Sequence, residues 1–407
     1  MAVTKKLDLR TGRSVWQVGR RPRLPTSLLR RDLKPDVVIV GAGISGAMIA
    51  DALTDAGFDV AIVDRRGPLR GSTPASTALL QYELDVPLIH LAKRIGRTRA
   101  ERLWRRARLA VNALSERTAY LGIEADLAQR DALALDGDVL DVDELQVEAE
   151  ARRRAGFEVS YLAPREVQRR YGIRRRAAIL GHGNIIADPS RMAAGFLRAA
   201  LSRGAQLFAP VEVTDVSTLT QSVSVTTKQG PCIRAKHVIF ATGYKMPTIV
   251  PTKGHRIIST WAIATRPQRR RLWPEEVLIW EASDPYLYLR PGPGGCVICG
   301  GEDETFTDEE ARDALLQHKT AVLERKLARL FPYLDPRAAY AWTGSFGASP
   351  TGTPSIGPIP GKRHCYAALG YGGNGIVFSM MAAQLLRGLI TGVGDPDFDL
   401  VSFSRTF

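Results

Sequence analysis

The sequence predicts an α/β fold, α+β overall: a Rossmann-like domain on a parallel sheet, interleaved with a second unit built from an antiparallel β-sheet and helices. Three observations lead there. "DVVIVGAGISGAMIADALTDAGFDVAIVDRR", from Asp36, reads as strand, glycine turn, helix, turn and strand. The same alternation returns at "ADPSRMAAGFLRAALSRGAQLF", from Ala187, after a long intervening stretch. A second glycine turn, "GYGGNG" from Gly370, again stands ahead of an apolar helical pattern.

Each element has a local cause. Val37 to Val40 is a continuous apolar run of the kind buried on both faces of a parallel sheet. Met48, Ile49, Leu53 and Ala56 make one helical face, Gly57 stops it, and Val60 to Val63 is the second strand. The hydroxyl-rich "GSTPASTALL" from Gly71 is a loop, and the chain is then expected to be mostly helical from Leu88 to Tyr171. Within that stretch the arginines between Arg94 and Arg108 flank an apolar stripe at Leu103, Ala107, Ala110 and Leu114, as the solvated side of an amphipathic helix would. Further on, Asp188 suits an N-cap and Pro189 the first helical position, with Met192, Phe196, Leu197, Ala200 and Leu201 as the buried face before Gly204. Pro251 to Phe306 reads as strands, Asp308 to Leu330 as one long amphipathic helix, and the C-terminal helix follows the second glycine turn.

A chain of 407 residues, 45% of them hydrophobic, buries a large core and by size divides into two domains. The boundaries expected are a basic arm at 1–34, a nucleotide-holding domain from 35–87, 188–250 and 343–407, and a substrate domain from 88–187 and 251–342. No apolar run is long enough for a membrane span, and the N-terminus lacks the apolar core of a secretory signal, so the expected location is cytoplasmic. The four cysteines are too sparse for a disulfide framework. Cys296 and Cys299 form a CxxC inside a strand, where i and i+3 face opposite ways, so they read as small buried hydrophobes and no metal site is expected. Of the formal charge of +14, ten Lys and Arg against two Asp place +8 in Met1–Lys34. The rest is ordinary, no zinc-finger or RNA-binding motif accompanies it, and no nucleic-acid partner is expected.

Gly41, Gly43 and Gly46 form GxGxxG between strand and helix, the arrangement in which backbone approaches a pyrophosphate at a helix N-terminus. Asp64 ends the second strand 23 residues after Gly41, where an acid accepts from ribose hydroxyls and disfavours a 2′-phosphate. These features leave NAD and FAD both open.

The set "VVIVGAGISG", "GSTPASTALL", "VIFATGY", "YLYLRPGPGGCVICGG", "WTGSFGASPTGTPSIG" and "ALGYGGNGIVFS", in this order, resembles the FAD-dependent D-amino-acid oxidase superfamily, which includes glycine oxidase, sarcosine oxidase and γ-glutamylputrescine oxidoreductase. The likeness runs from Asp36 to Gly392. It implies an FAD-binding domain and these contacts: Gly41, Gly43 and Gly46 with the pyrophosphate, Asp64 and Arg65 with the adenosine ribose, Ser72, Thr73, Ser76 and Thr77 along the phosphate and ribityl path. It also implies Val213 at the adenine, Ala241, Thr242 and Gly243 under the nucleotide, and Gly372, Gly373, Asn374, Gly375 and Ile376 at the isoalloxazine. FAD rather than NAD gives the second glycine turn a role, since amide N–H groups at a helix start stabilise charge developing on a reduced flavin.

The resemblance further implies oxidation of a C–N bond of an amine or amino acid by hydride transfer to flavin N5, giving an imine that hydrolyses, with oxygen or a quinone or carrier as the final acceptor. The family's substrate-carboxylate arginine is expected shortly after the WxG, where this chain has Phe346 and Gly347, which shifts the expectation toward amines. Arg290 is a possible substitute for that arginine, Gln81 and Tyr288 are candidate substrate-facing residues, and Trp261, Trp280 and Tyr286 are candidates for an apolar lid. The region in which relatives attach flavin to cysteine has none between Cys299 and Cys365, implying non-covalent FAD. The six histidines read as ordinary packing or surface residues. Two other readings are an NAD(P)H-dependent flavin monooxygenase and a non-catalytic flavoprotein subunit recruited through the basic arm.

Overall fold

The computed structural model describes residues 10–18, 22–174, 176–245, 247–252 and 254–405. A six-stranded sheet runs, in space, Ser355–Pro358, Cys365–Leu369, His237–Phe240, Val37–Val40, Val60–Val63, Gln206–Phe208. Every pairing is parallel except that of the edge strand Ser355–Pro358. Its strands are apolar throughout because both faces are covered. Helices Ile44–Asp55, Pro189–Ser202 and Gly375–Thr391 pack on one face, in a core holding Ile39, Ile62, Met48, Phe196 and Phe378. A three-stranded sheet, Val213–Thr218, Val223–Thr227 and Cys232–Ala235, covers Val38 and Val63 on the other with Val225 and Ile233. Burying each such side chain is worth about 1.5–3 kcal/mol. Helix Pro189–Ser202 begins as its sequence implies, the Asp188 carboxylate accepting from Ser190 N and Arg191 N at 2.8 and 3.0 Å.

A nine-stranded mixed sheet, mostly antiparallel, forms the second layer. Its strands come from 79–80, 128–186, 256–304 and 338–348, and one end of it is the strand Ala338–Ala348. Helix Leu316–Leu330 packs on it through Leu323 and Leu327, against Trp261, Ile263 and Cys299. Cys296 enters a different core with Trp342, so the CxxC does face two ways.

One element reading is refined and another corrected. The stretch 88–171 is mostly helical as expected, but it also contains strands Ala128–Leu135 and Val159–Leu162, because short apolar runs such as "ALAL" and "VSYL" carry no helical period of their own and pair with Ala178–Ile186. The helix read over 308–330 is two, Glu309–Ala314 and Leu316–Leu330, meeting at Leu315. In helix Arg97–Tyr120 the stripe at Leu103, Ala107, Ala110 and Leu114 is buried as expected, but Arg106 is buried too, bonded to Gln384 Oε1 at 2.9 Å.

Part of the basic arm, 1–9 and 19–21, lies outside the described residues. The described part is extended along the protein. Thr11 and Arg13 bond the backbone of the edge strand Ala338–Ala348, and Ser27 and Leu33 bridge to Phe208 and Ile233 on the other unit.

Candidate functional site

A cavity of about 410 Å³ is lined from both sheets, within the size range of small-molecule and cofactor sites. At its first wall stands the first glycine turn. Gly41 has φ +116°, and a Cβ there would lie 2.3 Å from Ala241 O; at Gly46 one would lie 1.9 Å from Gly41 O. Both glycines are therefore fixed by protein backbone, while Gly43 faces the cavity beside Thr73 Oγ1. Asp64 organises the turn. Its carboxylate accepts from Ala42 N at 2.9 Å, Arg66 N at 2.8 Å and Gly67 N at 2.9 Å. Arg65, Arg66 and Lys245 line the same end with Val213 and Asp64. Burial, with Arg65 adding to it, pulls the Lys245 ammonium down to about 8.

The loop 71–78 contributes Ser72, Thr73, Ser76 and Thr77 to the wall, and Thr73 Oγ1 accepts from Ile44 N at 3.0 Å. Ala241, Thr242 and Gly243 line the cavity after strand His237–Phe240, as do Gly372 to Ile376 at the second turn. The two helix starts meet, Ser45 Oγ lying 2.8 Å from Ser379 Oγ. Asn374 Nδ2 donates to Gln81 O at 2.9 Å and Glu83 O at 2.8 Å, tying the second turn to the segment after the loop.

That segment brings in a residue that sequence reasoning missed, Asp85. Its Oδ2 accepts from Gly373 N at 2.8 Å, and a Cβ on Gly372 or Gly373 would lie 2.6 or 2.7 Å from its oxygens. The Asp85 side chain is exposed to the open cavity, and the protein packed around that cavity pushes its carboxyl above the usual range against the Gly373 N–H. One signal points to it: Gln81, Glu83 and Asp85 alternate, as same-side residues of an extended segment do, and all three line the cavity.

Facing this end are Trp280, Tyr286, Tyr288 and Phe346. The Tyr286 and Tyr288 rings lie 5.6 Å apart, and Gly300 makes the space, since a Cβ there would stand 2.3 Å from the Tyr288 hydroxyl oxygen. Burial pushes both phenols up. Behind them the Asp303 carboxyl is pushed up to about 7 by burial, against interactions with Thr260 and Tyr286. Gly347 does not line the cavity; it lets the strand pass close to Gly370 Cα, 3.2 Å from where its own Cβ would be.

Of the residues named from sequence, Gly46 sits behind Gly41, and Arg290 and Trp261 are absent from the wall. Arg290 shares the strand face of Tyr288 but lies behind the loop, donating to Thr77 O, Ala78 O and Ala187 O at 3.2, 2.8 and 3.1 Å. A guanidinium so consumed offers no fork to a substrate carboxylate. Trp261 is in the core under helix Leu316–Leu330, its Nε1 donating to Arg312 O at 3.2 Å. Among the described residues no group of His, Cys, Asp and Glu has the arrangement of a metal site. No helix among them is long and apolar enough to cross a membrane.

Residues 36–389 match the family model described as FAD dependent oxidoreductase (DAO). Glycine oxidase of Geobacillus kaustophilus is 25% identical over 396 residues, covering 91% of this chain and 96% of that protein. γ-Glutamylputrescine oxidoreductase of Escherichia coli is 24% identical over 386 residues, covering 90% and 86%. The solved structure of the Geobacillus kaustophilus glycine oxidase superposes with a TM-score of 0.75 at 21% identity, covering 92% of this chain and all of that one.

Proposed function

From the premise that the chain belongs to the DAO family of FAD-dependent oxidoreductases, we propose that it oxidises the C–N bond of an amine in preference to an α-amino acid. The observation that carries this is the polarity of the cavity: among the described residues its basic groups, Arg65, Arg66 and Lys245, stand at the Asp64 end, while the second glycine turn faces Asp85, with Glu83 on the same segment and no basic side chain in the wall beside them. A diphosphate suits the first end and an ammonium group the second.

The residues present fit FAD. Gly41 and Gly43 would hold the pyrophosphate, with Gly46 allowing the helix to start against them; Asp64 and Arg65 would meet the ribose, and Val213 the adenine. Ser72, Thr73, Ser76 and Thr77, with Ala241, Thr242 and Gly243, would follow the chain toward the ring, and Gly372 to Ile376 would meet it. When bound, FAD supplies the acceptor for the hydride that leaves the carbon beside nitrogen. The chain supplies the rest. Asp85, with one oxygen on Gly373 N, retains capacity to accept from the substrate N–H. Gln81 offers a second polar contact, and Trp280, Tyr286, Tyr288 and Phe346 exclude water while the imine forms. We assign the segments 35–87, 188–250 and 343–407 mainly to the cofactor and 88–187 and 251–342 mainly to the substrate.

Anaerobic bleaching of the flavin by a panel of amines, N-methyl amino acids and D-amino acids tests this. Amines are expected to reduce it fastest, and D-alanine reducing it at least as fast as any amine overturns the preference. Bleaching by NADH or NADPH alone would instead favour a monooxygenase. Admission of air afterwards distinguishes oxygen from a quinone or carrier as acceptor.

A further inference from the structure

The basic arm has no part in the chemistry above, yet its described residues are well anchored. Gly12 has φ +79° and approaches the strand Ala338–Ala348 so closely that a Cβ would lie 2.4 Å from Ala341 O. Thr11 donates from its backbone N to Thr343 Oγ1 at 2.9 Å and from its hydroxyl to Asp313 Oδ2 at 2.7 Å, and Thr343 N donates to Thr11 O at 2.8 Å. Val15 and Trp16 are buried with Trp342, Ala264 and Ile298. The arm therefore covers what would otherwise be the exposed edge of the nine-stranded sheet.

From that edge it reaches the loop 71–78. Trp16 Nε1 donates to Ser76 O at 2.7 Å, and Arg10 Nε to Gly71 O at 3.2 Å. Trp342 Nε1 takes Ala75 O at 2.9 Å, while Arg290, whose guanidinium lies 5.4 Å from the Trp16 ring centroid, takes Thr77 O and Ala78 O. Five carbonyls of one loop are thus bonded to side chains on the side away from the cavity. The hydroxyl-bearing residues Ser72, Thr73, Ser76 and Thr77 line the cavity on the other. A short loop whose carbonyls are held in this way has few other ways to point its hydroxyls.

We infer that the segment 10–17 is a positioning strap for the cofactor loop: Trp16 and Arg10, together with Trp342 and Arg290, hold the carbonyls of 71–78 outward so that its hydroxyls are preorganised toward FAD. Trp16 is a positioning residue, acting through Ser76 and through the packing of Arg290. This rests on the proposed placement of FAD along 71–78. It also gives residues 10–17 of the arm an intramolecular role.

The test compares full-length wild type, Trp16→Ala and Trp16→Phe by three measurements: the FAD Kd of the apoprotein, thermal unfolding of the apoprotein, and hydrogen exchange of the amides of 71–78 with and without FAD. Removing one well-made hydrogen bond with its packing is expected to raise the FAD Kd about tenfold in Trp16→Ala, and removing the N–H alone about threefold in Trp16→Phe. Exchange at 71–78 is expected to quicken in both variants in the apo form. Unfolding of the Trp16→Phe apoprotein is expected to stay close to wild type, so its weakened FAD binding is not a folding defect. If FAD leaves exchange at 71–78 unchanged in wild type, the placement of FAD is wrong. If FAD protects that loop but Trp16→Phe leaves both Kd and exchange at wild-type values, the strap is overturned.

Discussion

The two glycine turns use one residue type for two physical purposes. At the first, the missing side chains make room for the protein itself: hypothetical Cβ atoms at Gly41 and Gly46 would strike the backbone oxygens of Ala241 and Gly41. At the second, the room at Gly372 and Gly373 is taken by the carboxylate of Asp85. The first turn is rigid because backbone meets backbone, with Asp64 accepting three backbone N–H groups across it. The second is a contact between backbone and a titratable side chain, whose chemistry depends on charge as well as shape. Glycine-rich turns ahead of helices look alike in sequence, and what fills the vacated space separates a scaffold from a reactive wall.

The largest effect expected from this contrast is at the first turn. Gly46→Ala places a methyl 1.9 Å from Gly41 O, which cannot move without shifting the strand end. We expect a stability loss of about 3 kcal/mol or more and failure to retain FAD, read by thermal unfolding and by the flavin absorbance of purified protein. A Gly46→Ala protein that stays yellow and melts like wild type would break the contrast.

An intermediate effect belongs to the second turn. Asp85→Asn keeps an acceptor for Gly373 N but removes the charge, so FAD should stay bound while reduction by amines slows about tenfold to a hundredfold, the value of a hydrogen bond to a charged group. Reduction by neutral D-amino acids should change far less. Equal slowing for both substrate classes would mean that Asp85 supports the turn without reading the substrate.

A third effect, read on stability and not on turnover, is a pH dependence at the same end. The Asp303 carboxyl is raised to about 7 from an ordinary 3.8, so its contribution to stability is fully present below about pH 4 and is lost as pH rises through 7. Asp303→Asn should flatten that fall, visible as a smaller difference in Tm between pH 5 and pH 8. An unchanged difference would assign the slope to other groups.

Much of the first turn is legible in the amino-acid order alone. Val37–Val40, the helix face of Met48, Ile49 and Leu53, and the acid at Asp64 lie within one short stretch and obey local periodicity, so their arrangement follows from nearest neighbours. Arg290 and Asp85 are not legible in the same way. Alternation places Arg290 on the face of Tyr288, but the loop 71–78, far away in sequence, lies between it and the cavity and absorbs its donors. Asp85 gains its role from Gly373, 288 residues later. Trp261 is a plausible lid residue by sequence because aromatics on strands look the same whichever face is buried; the helix Leu316–Leu330 decides its side.

Residue order was enough for the α/β class, the glycine turn with its acid, and the loop of short hydroxyls, because each depends on dihedral preferences and side-chain chemistry acting over a few residues. Long-range packing was needed to fix which carbonyls of that loop are held by the arm, that Arg290 serves the protein and not the cavity, and that an aspartate sits on the second glycine turn. Those depend on which distant segments the two sheets bring together, and a hydrogen bond or a buried charge takes its meaning from whatever partner arrives within about 3 Å.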